Sequence, residues 1–403
     1  MKYLIILADG AADLRIQKLG NKTPLMVANT PNIDALCAKS RTGQLLTVPE
    51  GMLPGSEIAN LGVLGYDVNE VFEGRGVLEA ASMGVNIKPG EMAMRCNLIC
   101  IENERIKNHS AGHISNEESH ILIDALNQTF ASHSLSFYPG VSYRHLLVLE
   151  DGNKDMDCTP PHDVPGTLFR EVLIKAKSKE ADYTADLLNS LIIKSQELLK
   201  DHPVNIKRIK EGKDPANSIW PWSPGYKPKM KTLKELYSID KGAVICAVDL
   251  ISGIGRLAGM EVIQVQGATG LYNTNYEGKA KAAVEALKTS DFVFLHIEAS
   301  DEAGHEGDVD LKIKTIEYLD QRVLKYIIEE TSKMSEPVSI AILPDHPTPC
   351  ETRIHTSDPV PFMIYNPLLE PDNVKEYNEF SVENGYYGLL KGDEFIKALF
   401  LKQ

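Results

Sequence analysis

The chain has 403 residues, more than one hydrophobic core normally serves, so two or three domains are expected. It is 43% hydrophobic and 24% charged, as globular proteins are. A net charge of −14 argues against nucleic acid or an anionic membrane as partner, and no apolar run is long enough to cross a bilayer. An anionic substrate would have to be drawn in by metal ions and locally placed basic side chains.

In chain order, strand-like runs alternate with amphipathic helical ones, which signals α/β architecture. The apolar start, Leu4-Ile5-Ile6-Leu7, is too short for a secretory signal and ends at Ala8-Asp9-Gly10, so it reads as an internal strand. A helix follows over 32–39. The tight loop Leu53-Pro54-Gly55-Ser56 opens another over 56–65. From 85 to 212 the character changes: strand 92–102, helix 116–131, strand 143–150, a Pro-rich loop at 159–166, helix 181–200 and a strand-like run at 204–209. This stretch has no metal-type cluster and reads as a small inserted α+β lid. The core is then discontinuous, residues 1–84 and 213–403, with the lid at 85–212.

Residues 220–228 hold both tryptophans in a stiff aromatic loop, either a packed surface loop or a wall of the substrate pocket. Gly253-Ile254-Gly255-Arg256-Leu257-Ala258-Gly259 has the spacing GxGxxxG and reads as close helix packing rather than a dinucleotide loop. A polar Gly-rich loop at 267–275 precedes a helix over 278–289 and a strand over 291–297. A long charged helix spans 310–333, and the last metal-bearing strand is 340–343. The six scattered cysteines contain no CxxC pair, which fits a reducing cytoplasm.

Three of the short apolar runs stop at an aspartate: Asp9, Asp301 and Asp345. His305 follows Asp301 at i+4, His346 is adjacent to Asp345, and His355 lies nine residues further on. Parallel α/β sheets hold ligands beyond the carboxyl ends of their strands. Mixed Asp and His donors suit Mn²⁺ or Zn²⁺ better than Ca²⁺. Singly, each pattern also reads as a turn or a helix cap. Together they suggest a two-metal site. Ser56 is the candidate nucleophile, its hydroxyl activated by a metal at the start of a helix that offers N–H groups to an anion. An N-cap role for Ser56 is compatible with this. Lys279 would meet an anion or simply be solvated.

These residues carry a family resemblance. Ala8-Asp9-Gly10, Pro54-Gly55-Ser56, Leu64-Gly65-Tyr66-Asp67, Gly74-Arg75-Gly76-Val77-Leu78-Glu79-Ala80, Gly267-Ala268-Thr269-Gly270, Ser300-Asp301-Glu302-Ala303-Gly304-His305, Pro344-Asp345-His346 and the stretch from His355 to Phe362 resemble the archaeal-type cofactor-independent phosphoglycerate mutases of the alkaline phosphatase superfamily. The resemblance implies an alkaline-phosphatase-like core sheet with helices on both faces, an inserted lid and two divalent metal ions. Mn²⁺ is expected, with Zn²⁺, Mg²⁺ and Co²⁺ as alternatives, and no 2,3-bisphosphoglycerate. Carried over, Asp9, Ser56, Asp345 and His346 bind one ion, and Asp301, His305 and His355 the other. Ser56 takes the phosphoryl group and returns it to another hydroxyl of the glycerate.

The chain departs from the family in one place. Where the family's lid has an Asp-Arg-x-Ala-Gly-Arg type stretch, this chain has Asn108-His109-Ser110-Ala111-Gly112-His113. Histidine is mostly neutral at pH 7 and cannot make the forked contacts of arginine. Arg75 and Arg144 remain to hold an anionic group, with His109, His113, His162 and Lys279 as the other candidate substrate contacts. Glu298 stands where the family usually has Lys. The His-Ser-Ala-Gly-His and Trp-Pro-Trp segments resemble those of a subgroup of such mutases proposed as homoserine kinases. The expected function is mutation of 3-phosphoglycerate to 2-phosphoglycerate. Phosphoryl transfer to homoserine and phosphomonoester hydrolysis are the alternatives.

Overall fold

The strand Lys2–Ala8 is apolar on both faces, and Leu4, Ile5, Ile6 and Leu7 are fully buried, as in the middle of a parallel sheet. It lies between two parallel neighbours, Phe292–Ile297 and Val338–Leu343. The structure, a computed structural model, describes residues 1–401. Eight strands form this sheet in the order Met260–Ile263, Gly242–Ile245, Phe292–Ile297, Lys2–Ala8, Val338–Leu343, Val360–Tyr365, Ser40–Leu46, Gly388–Lys391. Val360–Tyr365 runs against both of its neighbours.

Alternate side chains of the central strands serve opposite faces. Leu4, Ile6, Val293, Leu295, Ile340 and Ile342 pack with Ala280, Ala283 and Leu287 of the helix Tyr276–Thr289. On the other face the helix Asp249–Leu257 approaches closely. A Cβ on Gly255 would lie 2.4 Å from Val244 Cγ1, so the GxGxxxG stretch does serve helix–sheet packing.

The chain divides into two compact units, Met1–Phe72 with Lys229–Gln403, and Glu73–Pro228. The boundaries fall outside those expected at 84/85 and 212/213. The reason is local pairing. Residues 220–226, read above as an aromatic loop, belong to the strand Ser218–Tyr226, which pairs antiparallel with Glu91–Glu102. Its prolines are tolerated because this strand has that one partner. The helix Arg75–Ser82 packs on the same pair, with the Gly76 backbone so close that a Cβ would lie 2.8 Å from Ala93 O.

The second unit is a five-stranded antiparallel sheet with the helices Asn116–Phe130 and Asp182–Leu199. Residues 204–209 are helical, within Pro203–Lys210, and not a strand. Proline at the first helical position and the His202 side chain, which accepts from Val204 N–H, start that helix. The expected long helix over 310–333 is interrupted. Val309–Tyr318 gives way to a π-helical turn at Leu319–Leu324 before Lys325–Thr331. There the buried Asp320 accepts from Asn32 Nδ2 and Ile33 N–H, both at 2.7 Å, and so caps the helix Pro31–Cys37. Among the described residues no helix is long and apolar enough to cross a membrane.

One buried imidazole makes the second unit acid-sensitive. His145 is 1% exposed, its Nδ1 accepts from Gly140 N–H at 3.0 Å, and burial pushes its pKa down to about 3. The unfolded chain binds this proton near pH 6.5 and the folded one does not, so stability is present above 6.5 and lost as pH falls. Urea unfolding at pH 6.5 and pH 5 should show a loss about 2 kcal/mol larger in wild type than in His145→Asn. Equal losses would sink the assignment.

Candidate active site

Asp9, Asp301 and Asp345 stand just past the carboxyl ends of adjacent strands of the eight-stranded sheet and are at most 5% exposed. Gly10 lets the loops converge. Its φ is +59°, and a Cβ there would lie 2.5 Å from Asp301 Oδ1 and 2.7 Å from Asp301 Cα. Gly10 N–H donates to Asp345 Oδ1 at 3.1 Å, and His346 N–H to the same oxygen at 2.9 Å. Asn60 Nδ2 donates to Asp345 Oδ2 at 2.8 Å.

Two sets of potential ligand atoms lie within 4.8 Å of one another: those of Asp9, Asp345 and His346, and those of Asp301, His346 and His355. His346 is common to both. His305 adjoins the second set, with Nε2 3.3 Å from Asp301 Oδ2 and 2.9 Å from His355 Nε2. Ser56 opens the helix Ser56–Val63, and its Oγ is 3.2 Å from His346 Nε2. The N-cap is Gly55, in extended conformation, so the hydroxyl is not used as a cap. All seven residues expected as metal ligands thus belong to one cluster.

The electrostatics are those of crowded acids. Burial pushes Asp9 well above the usual carboxylate range, and the charges of Asp345, Asp301 and Glu298 push it further. Burial also pushes Asp301 up, but its bonds to His305 and His355 outweigh that and hold it well below its ordinary value. The Asp301 carboxylate in turn raises His305 to about 9.

Two observations show that these residues fit divalent metals. Asp9 Oδ1 is buried with no hydrogen-bond partner among the described residues. His305 Nδ1 is 2.9 Å from Arg353 O, which can only accept, so in the neutral ring Nε2 keeps its lone pair facing the cluster. A metal-binding histidine is oriented in this way.

Two neighbours escaped the sequence reading. His296, fully buried, points Nε2 to within 2.9 Å of Asp9 Oδ2, and burial lowers its pKa to about 4. The apolar strand around it gave no hint, because the pairing that sets it beside Asp9 is not legible in the sequence. Thr348 Oγ1 donates to Asp301 Oδ1. Glu298 is pushed up to about 8 by burial and by Asp301, and Gly270 packs so closely that a Cβ would lie 2.2 Å from Glu298 Oε2. Lys279 is buried rather than solvated. Its Nζ is 3.2 Å from His296 O, and burial lowers its pKa to about 8.

Within residues 73–228 the other expected substrate contacts come together. His109, His113 and Arg144 surround Tyr143, with His109 and His113 ring centroids 5.4 and 6.1 Å from it and Arg144 Cζ at 5.9 Å. His162 lies 5.9 Å from His109 and 5.4 Å from Trp222. Arg95 stacks 4.6 Å over Trp222, and the charges of Arg75 and Arg144 bear on it. Burial lowers His109 and His162, which keeps both imidazoles neutral near pH 7. Arg95, Tyr143 and Trp222 were not singled out from sequence.

A family profile described as 2,3-bisphosphoglycerate-independent phosphoglycerate mutase matches residues 37–205. A protein of that name from Methanosarcina acetivorans is 49% identical over 401 residues, 99% of each chain. This chain belongs to that family. A solved structure from Pyrococcus horikoshii superposes with a TM-score of 0.83 at 33% identity, covering 100% of this chain and 98% of that one. A structure titled as the cofactor-independent phosphoglycerate mutase of Thermoplasma acidophilum gives 0.71 at 26% identity, covering 100% and 99%.

The convergence at Gly10 is directly testable. Gly10→Ala combines a left-handed backbone with overpacking, so it should lower unfolding free energy by at least about 2 kcal/mol in urea. A neutral effect would mean that the two loops are free to separate.

Proposed function

We propose that the protein interconverts 3-phosphoglycerate and 2-phosphoglycerate through a phosphoserine at Ser56, in the cytoplasm. The observation that carries this reading is Ser56 Oγ at a helix start, 3.2 Å from the imidazole shared by both ligand sets. The names of its relatives support it. In this reading Asp9, Ser56, Asp345 and His346 hold one divalent ion and Asp301, His305 and His355 the other, with Mn²⁺ as the resident metal. When bound, such ions neutralise phosphoryl charge and lower the pKa of a hydroxyl.

The Ser56 hydroxyl loses its proton as Oγ attacks phosphorus, the bond to the glycerate oxygen breaks, and that oxygen takes up a proton. The other glycerate hydroxyl then loses its proton and attacks the phosphoserine, which releases Ser56. N–H groups in the first turn of Ser56–Val63 have no partner within the helix and suit the phosphoryl oxygens. Arg75, Arg144 and the three histidines of residues 73–228 serve substrate recognition, as does Lys279.

The test is ³¹P NMR of Mn²⁺-loaded protein with 3-phosphoglycerate. The 2-phosphate signal should appear, and EDTA should abolish it. Ser56→Ala should lose on the order of 10³-fold or more in turnover while staying folded. An unchanged spectrum from metal-replete wild type, or turnover by Ser56→Ala, would overturn the reading.

A second reading, transfer to a small hydroxylated amino acid such as homoserine, draws on the neutral imidazoles and on Glu298, which suit a substrate with fewer negative charges. His113→Arg discriminates. A gain in kcat/KM for 3-phosphoglycerate favours the second reading, and a fall shows that His113 is already the mutase's own contact.

A further inference from the structure

Lys312 lies in the helix Val309–Tyr318 and is fully buried. Its ammonium has three protons and three partners: Asp13 Oδ2 at 2.9 Å, Ala12 O at 3.1 Å and Thr348 O at 2.8 Å. Ala12 and Asp13 follow Asp9 on the loop that leaves the strand Lys2–Ala8. Thr348 is two residues beyond His346 on the loop that leaves Val338–Leu343.

The same two loops meet directly, through Thr348 N–H to Ala12 O at 3.2 Å. Asp13 ties in more of the surroundings. Its Oδ2 also accepts from Cys350 N–H at 3.1 Å, and its own N–H donates to Glu379 Oε1 at 3.0 Å. Glu379 Oε2 takes the Thr23 hydroxyl at 2.7 Å. Every member of this network is buried, and none of its side chains belongs to the proposed ligand set. The hydroxyl of the same Thr348 reaches Asp301.

We infer that Lys312 is a positioning residue, whose ammonium sets the spacing of the loops that carry Asp9, Asp345 and His346, and through Thr348 the aim of Asp301. The inference rests on the metal-centre reading above. A role in stability alone is separable from it. Buried ion pairs can often be replaced by apolar groups with little loss of stability, whereas groups that orient metal ligands typically change metal affinity 10–100-fold.

The experiment uses the full chain. Mn²⁺ binding is followed by loss of the free-ion EPR signal, and folding by urea unfolding. Lys312→Met leaves Asp13 without its counter-charge and should lose stability, yet remain folded in the absence of urea and bind Mn²⁺ about 10–100-fold more weakly. Val323→Ala, a truncation in the helical layer of the same core, should lose stability and keep wild-type Mn²⁺ affinity. Unchanged affinity in folded Lys312→Met, or an equal loss in Val323→Ala, overturns the inference. If Lys312→Met does not fold, the double variant Lys312→Met/Asp13→Asn removes both charges and is read by the same criteria. Failure of that variant to fold also counts against a positioning role, because Lys312 is then needed for the fold itself. Wild-type protein that takes up no Mn²⁺ overturns the metal reading, and this inference with it, before any variant is compared.

Discussion

Three buried carboxylates crowd the ends of three adjacent strands, and like charges held this way repel. Much of the surrounding structure answers that repulsion. Asp345 is supplied with the N–H groups of Gly10 and His346 and the amide of Asn60. Asp301 is compensated by His305 and His355. Asp9 is left with one oxygen that has no hydrogen-bond partner among the described residues. The cluster has therefore absorbed the burial of two acids with its own donors and left a deficit of positive charge beside the third. That asymmetry suits the proposed binding of cations and then of a phosphoryl group.

The parts of this arrangement legible in sequence were those with local signatures. A strand ending in Asp-Gly, Asp and His at i, i+4, and an Asp-His pair after a buried strand each leave a mark within a few residues. His296 leaves none, because an imidazole inside an apolar strand looks the same whether it faces a ligand or fills a core. Thr348 and Lys312 are invisible for a different reason. They act through backbone carbonyls and hydroxyl groups brought near by the sheet order, and no periodicity reports that order. The Trp220–Tyr226 stretch misled because its prolines suggest a loop, and a strand with one partner tolerates them.

Residues 73–228 hold a different chemistry from the sheet end. Their basic cluster mixes permanent guanidinium charge with imidazoles that burial keeps neutral. Such a surface discriminates by the number of charges on a ligand and by the direction of its hydrogen bonds. The loop that presents His109 and His113 is held by Arg208, buried to 2% exposure, which donates to Ala111 O at 2.6 Å. Ala111, Gly112 and His113 are consecutive left-handed residues, and such backbone persists only where its surroundings over-determine it.

The central position of the first strand bears on how the chain is made. Among the described residues Lys2–Ala8 pairs only with Phe292–Ile297 and Val338–Leu343, both encoded late in the chain. A polypeptide emerging N-terminus first carries this apolar segment without its partner strands until residues 292–343 are made, while the uninterrupted stretch 73–228 can collapse on its own core. The sheet, and with it the acidic cluster, closes late. A product that lacks residues 292–343 has no partners for its first strand and cannot assemble the acidic cluster, and pairing over so long a sequence separation is of the kind that forms slowly.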